Sequence, residues 1–254
     1  VIENNSRIAN NNPLRHNGKK YVMDYENLEK QIDGTKLFML CNPQNPVGRV
    51  WSKDELIKIG DICIKNDITI ISDEIHCDFT FKGIKHTPIA SISKELEDRT
   101  ITLIAPSKTF NIAGLNTSVA IIPNEKLRNV YQKSIEALEI GASNIFGALG
   151  LEVAYNYGEQ WLEQVLVYIE SNVDYAVDYI NKNIQGIKVD RPEGTYLLWL
   201  DCNGVDKSAD EINEALIKVG KVALNDGRPY GEVGDRFFRL NIGCPRSILA
   251  DGLM

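Results

Sequence analysis

The chain has 254 residues, with 43% hydrophobic and 25% charged residues, the composition of an ordinary soluble globular protein with enough apolar content for a core. A formal net charge of −7 argues against nucleic acid as the main partner, because polyanion binders carry a basic face. No run approaches the roughly 18 apolar residues of a membrane span, and the five scattered cysteines make no CxxC pair, so reduced thiols in a cytosolic protein are expected rather than a disulfide framework or a metal site.

In chain order, Lys36–Cys41 is a short apolar run. Ser52-Lys53-Asp54-Glu55 follows with a capping-box pattern, and Leu56, Ile59, Gly60 and Cys63 then repeat at helical spacing. Ile68–Ser72, Ile101–Ala105 and Ser118–Ile122 are three more apolar runs. Strands read as continuously apolar when helices cover both faces of a parallel sheet, so this part predicts α/β architecture. A long helix is expected from about Gln160 to Asn183, with a stripe of Trp161, Val165, Ile169, Val173, Ala176, Val177 and Ile180. Gly194–Leu200 reads as a strand. Ser208–Glu211 is a second capping box, opening a helix with Ile212, Leu216 and Val219 that Gly220 stops. Phe237–Ile242 reads as the last strand. The expected division is a large domain over 1–158 and a bridging helix with a smaller α+β domain over 159–254.

In open parallel sheets, ligands bind outside the carboxyl ends of the strands. Three such ends carry chemistry here: Asn42–Gly48, Ser72-Asp73-Glu74-Ile75-His76 and Ser107-Lys108-Thr109-Phe110-Asn111. An amide, a carboxylate, an imidazole and a lysine therefore converge on one crevice. Taken singly, each has a plainer reading. Asn45 is a turn residue, Asp73 a helix cap, His76 a satisfied structural histidine, Lys108 a surface lysine and Arg239 half of a surface salt bridge. The joint occurrence of Asn45, Asp73, His76 and Lys108, each just past an apolar run, favours a site.

Those three segments occur in the order and at roughly the spacing of class I/II (fold type I) pyridoxal-phosphate enzymes, and Phe238–Gly243 resembles that family's carboxylate-binding strand. The likeness covers nearly the whole chain. Asp73-Glu74-Ile75-His76 followed by His86-Thr87-Pro88 is most similar to the cystathionine β-lyase branch. The resemblance implies an aminotransferase-like fold, a pyridoxal 5'-phosphate cofactor, an amino-acid substrate and a homodimer. It implies that Lys108 holds the cofactor as a Schiff base and then removes the substrate's Cα proton. Asp73 would pair with the pyridine nitrogen, Asn45 and His76 would contact the ring's phenolate oxygen, Ser107 would reach the phosphate, and Arg239 would bind the substrate α-carboxylate. Many relatives carry an arginine eight residues after that lysine; here Asn116 stands there. The family's glycine-containing phosphate loop and its ring-stacking aromatic lie upstream of the matched motifs, and the end resembles the family's final helix cut short. The expectation is a fragment of a longer enzyme.

Three functions follow as expectations. The first is a carbon–sulfur β-lyase giving pyruvate, ammonia and a thiol from cystathionine or cysteine S-conjugates. The second is an aminotransferase, and the third a non-catalytic relative acting as a binding module. No G-x-G-x-x-G follows any predicted strand and there is no P-loop, which sets aside a nicotinamide dehydrogenase.

Overall fold

The computed structural model describes residues 2–141 and 144–254. A short ribbon comes first: β1 (Arg15–His16) pairs antiparallel with β2 (Tyr21–Val22) across a turn in which Asn17 Oδ1 accepts from the amides of Lys19 and Lys20, both at 3.0 Å. Helix α1 (Tyr25–Gln31) follows, capped by Asp24.

The first sheet has the order β3 (Leu37–Cys41), β4 (Thr69–Asp73), β5 (Thr100–Ile104) and β6 (Val119–Ile121). The first three are parallel, with Cys41 opposite Asp73 and Asp73 opposite Leu103. Helix α2 (Lys53–Lys65) crosses from β3 to β4. The capping box forms as expected: Ser52 Oγ accepts from the Glu55 amide, and the Glu55 carboxylate accepts from the Ser52 amide. The helix buries Leu56, Ile59, Gly60, Ile62 and Cys63. Leu56 and Ile59 lose all exposure, which stabilises the fold by about 2 kcal/mol each. Helix α3 (Lys94–Arg99), capped by Ser93, leads into β5. The run over 118–122 does form a strand, but β6 is antiparallel to β5. The chain turns back at the carboxyl end of β5 through the short helix α4 (Pro106–Thr109), without the crossover a parallel return needs.

Two helices escaped the sequence reading: α5 (Glu125–Ala137) and α6 (Ile145–Tyr157). Helix α5 buries no residue, although Leu127, Val130, Tyr131 and Ile135 recur along it at helical spacing. Helix α6 is apolar around most of its surface and buries only Gly147, leaving Ile145, Phe146, Leu149 and Val153 exposed.

Helix α7 (Glu159–Asn183) packs Ile169, Val173, Ala176 and Ile180 into a second core. The stripe begins later than its sequence pattern, for Trp161 is 44% exposed. This core lies on an all-antiparallel sheet of order β7 (Lys188–Val189), β8 (Leu197–Asp201), β10 (Phe237–Asn241) and β9 (Asn225–Asp226). Helix α8 (Ala209–Lys218), opened by the Ser208–Glu211 capping box, and α9 (Arg246–Leu253) complete it. Phe79 and Phe81, from the loop after β4, also enter this second core, and Thr80 bridges Gly194. The segment that follows Asp73 and His76 is therefore clamped to the second sheet.

Candidate active site

The site is built on the carboxyl ends of β3, β4 and β5, which lie side by side. After β3, Asn42 is fully buried and acts as a brace. Its Oδ1 accepts from the Trp51 amide at 3.0 Å and its Nδ2 donates to Thr87 O at 3.3 Å. The loop closes with Gly48 N donating to Gln44 O at 2.7 Å. Gly48 has φ +70°, and a Cβ there would lie 2.3 Å from Pro192 Cβ, so only glycine fits the turn and the close approach of the segment between β7 and β8. This rigid loop holds out Asn45, whose Oδ1 accepts from Arg239 Nη1 at 3.0 Å.

At the end of β4, Asp73 Oδ1 accepts from the Ile75 amide at 3.3 Å. Burial pushes the Asp73 carboxyl above the usual carboxylate range, and the neighbouring Glu74 charge adds to this; the Ile75 amide and the Lys108 ammonium oppose it. His76 is 3% exposed, its ring edge-on to Tyr196 at 5.3 Å, and its Nδ1 is buried with no hydrogen-bond partner among the described residues. Burial drives His76 down to about 4, helped by the positive charges of Lys108 and Arg239. The imidazole is therefore neutral at physiological pH. Lys108 acts on both Asp73 and His76, and Arg239 acts on His76, so the four residues share one locality.

After β5, Pro106 occupies the first turn of α4, where its missing N–H costs nothing. Thr109 is fully buried and its hydroxyl donates to Asp78 Oδ2 at 2.7 Å, with Tyr155 OH donating to the same oxygen at 3.5 Å. That anchor fixes the turn carrying Ser107 and Lys108, both half-buried. Asn116 sits apart on an exposed turn with φ 48°.

Arg239 reaches in from β10. Its Nη2 donates to Asn225 Oδ1 at 2.9 Å, its guanidinium lies 5.5 Å from the Tyr230 ring centroid, and its Nε is buried without a partner. Among the described residues no carboxylate pairs with it. This half-buried cation is thus held by two neutral side-chain amides and an aromatic ring, an arrangement that leaves its charge open to an anion.

The structure thus brings Asn45, Asp73, His76, Lys108 and Arg239 into one locality at the strand ends, with Ser107 beside Lys108 on α4. The sequence reading did not find Asn225, Tyr230, Tyr196 or Asp78 beside them. Their contacts depend on the second sheet and on a helix packing back, and no local pattern marks such meetings.

The family model for aminotransferase class I and II matches residues 10–251. The chain belongs to the aminotransferase class I and II family. Within this family it is 40% identical to cystathionine β-lyase PatB of Bacillus subtilis, over 100% of this chain and 66% of that protein. It superposes with TM-score 0.97 on a PLP-bound protein of Clostridium difficile 630 named as a candidate aminotransferase, at 49% identity over 99% of this chain and 65% of that one. It superposes with TM-score 0.96 on cystalysin from Treponema denticola, which contains pyridoxal 5'-phosphate, at 36% identity over 99% of this chain and 64% of that one. The chain therefore spans just under two thirds of the length of these family members.

Proposed function

We propose that the protein acts as a pyridoxal-phosphate-dependent carbon–sulfur β-lyase, converting cystathionine or a cysteine S-conjugate and water to pyruvate, ammonia and a thiol. The observation that carries this reading is the meeting of Lys108, Asp73 and the unpaired Arg239 around a neutral His76. The likeness to cystathionine β-lyase PatB over the whole chain supports the choice of substrate.

The residues fit the cofactor. The crevice holds a lysine, a carboxylate with raised proton affinity, and buried nitrogens on His76 and Arg239 that lack partners. When bound, pyridoxal phosphate supplies an electron sink conjugated to the substrate's α-carbon. Lys108 Nζ would hold the cofactor and would serve as the base for the substrate's Cα proton. Asp73 would pair with the ring nitrogen and favour its protonated form. Asn45 gives its Oδ1 to Arg239, which leaves its Nδ2 to donate to the ring oxygen. His76, neutral, adds a hydrogen bond there without adding charge. Ser107 offers its hydroxyl to the phosphate. Arg239 takes the α-carboxylate with its planar fork and so orients the Cα–H bond toward Lys108.

The reading extends to a homodimer of two-domain subunits, divided near residue 158, in the cytoplasm. Support comes from the exposed apolar face of α6 and from the five free cysteines. No helix among the described residues is long and apolar enough to cross a membrane.

The test is product analysis with L-cystathionine. Pyruvate and ammonia formed without a keto-acid acceptor, and lost in Lys108→Ala, are the expected result. Turnover that requires a keto-acid acceptor would make the protein an aminotransferase, the reading favoured by the likeness to the Clostridium difficile structure. Turnover or binding that ignores Lys108→Ala would leave the non-catalytic reading.

A further inference from the structure

Glu74 is a buried carboxylate to which the mechanism gives no task. It is 1% exposed and directly follows Asp73, and its amide donates to Leu103 O at 2.9 Å, extending the parallel ladder by one residue. Successive side chains on an extended strand point to opposite faces. Glu74 accordingly shares its face with Ser72, whose hydroxyl donates to Glu74 Oε1 at 2.7 Å. On the other oxygen, His86 Nε2 lies 2.8 Å from Oε2. Both oxygens are thus engaged. His86 Nδ1 is buried without a partner, while the next residue, Thr87, accepts from Asn42 Nδ2 at 3.3 Å.

Tethering the loop around His86 to the sheet does not require an ion pair. Burying two charges costs several kcal/mol each, and neutral partners would hold the loop as well. What a carboxylate adds is its field at Asp73. The Glu74 charge raises the proton affinity of Asp73, and the Lys108 ammonium opposes it. Two adjacent carboxylates at one strand end hold a cation beside them more firmly than one.

We propose that Glu74, held by Ser72 and His86, is a positioning residue for the cofactor site, acting through Asp73 to hold positive charge on the cofactor ring. This rests on the reading that Asp73 faces the ring nitrogen. His86 Nε2, 2.8 Å from Glu74 Oε2, is the contact through which a charge placed at position 86 reaches that carboxylate. The other ionisable groups that act on this pair of carboxylates are Lys108, Cys77 in the turn after β4 and Cys41 on the adjacent strand. Burial holds all three thiol and carboxylate neighbours toward their protonated forms: Cys41 is pushed up to about 11, Cys77 up to about 12 and Asp73 upward.

The experiment is a pH titration of the visible absorption of the bound cofactor in the intact holoprotein, with cofactor affinity measured alongside. Glu74→Gln keeps the shape and one acceptor oxygen but removes the charge. It is expected to lower the absorption midpoint by about 0.5 unit or more, a threefold or larger change in proton affinity, and to weaken cofactor binding. His86→Lys places a fixed cation on Glu74 and shifts the midpoint the same way. His86→Gln, a neutral donor, leaves it at or above the parent value. The contrast between the two His86 variants decides the matter even where Glu74→Gln does not fold. A midpoint and an affinity unchanged in Glu74→Gln and His86→Lys, with only thermal stability lost, would reduce Glu74 to a tether and overturn the proposal. A parent without the band, or a band that survives Lys108→Ala, would instead remove the reading of the site itself and the proposal with it.

Discussion

Two arginines, Arg49 buried and Arg239 half-buried, divide the molecule's polar groups into a finished region and an open one. Arg49, 4% exposed, lies where the loop after β3 meets the second sheet. Its Nε donates to Glu193 Oε2 at 2.8 Å, its Nη2 to Glu55 Oε2 at 2.9 Å and its Nη1 to Tyr21 O, while its guanidinium lies 4.7 Å from the Trp51 ring centroid. Two carboxylates balance one cation, and the site is closed. Arg239 is held by the amides of Asn45 and Asn225 and by the Tyr230 ring, with no carboxylate among the described residues. The same side chain has its charge met by carboxylates in one place and, under the proposed function, is left open for the substrate's carboxylate in the other.

The sharpest way to break this contrast is to remove each arginine in turn. Arg49→Ala leaves the Glu55 and Glu193 carboxylates without their cation, and the expected loss is about 3–5 kcal/mol in chemical denaturation. The spectrum of any protein that still folds should show the cofactor bound. Arg239→Lys should do the reverse. Replacing the fork with a point charge is expected to lower kcat/KM for L-cystathionine about 100-fold, near 3 kcal/mol, with the melting temperature unchanged. If Arg239→Lys unfolds the protein instead, the arginine belongs to the structure and the contrast fails.

A second comparison uses pH. Native His76 sits at about 4 against an ordinary 6.5, because of burial and the nearby positive charges. The unfolded chain takes up that proton first as pH falls. The stability owed to a neutral His76 is therefore complete above about pH 6.5 and is lost toward pH 4, on the order of 3 kcal/mol. Asp73, raised by burial, works oppositely and favours the native state as pH falls through its raised value. In cofactor-free protein, His76→Gln should flatten the slope of stability across that window, and an unchanged slope would place the titrating group elsewhere. The smallest expected effect is at Tyr230. Tyr230→Leu removes the ring beneath Arg239 and should weaken substrate binding by about 1 kcal/mol, seen as a rise in KM at constant kcat.

Much of this was legible in the sequence because local physics sufficed. Ser52 and Ser208 announced their helices through capping boxes, and both boxes form. The apolar runs before Asn42, Asp73 and Lys108 marked strands whose carboxyl ends carry polar residues, and all three strands are parallel neighbours. The direction of β6 was not legible, since an apolar run does not state which way it runs; the short return through α4 decides that. Helix α6 was missed because it is apolar nearly all round, so no amphipathic stripe exists, whereas α5 carries a stripe of Leu127, Val130, Tyr131 and Ile135 that the sequence reading passed over. Arg239 was visible as a motif. Its lack of a carboxylate partner was not, because that depends on side chains brought together across 194 residues of chain.

The account turns on Lys108 as the residue that binds the cofactor. The most direct measurement is the visible absorption spectrum after adding pyridoxal phosphate to the intact protein and to Lys108→Ala, with unbound cofactor removed. The account predicts a lysine-linked band in the parent that the variant lacks. The same band in Lys108→Ala, or none in the parent, would contradict it.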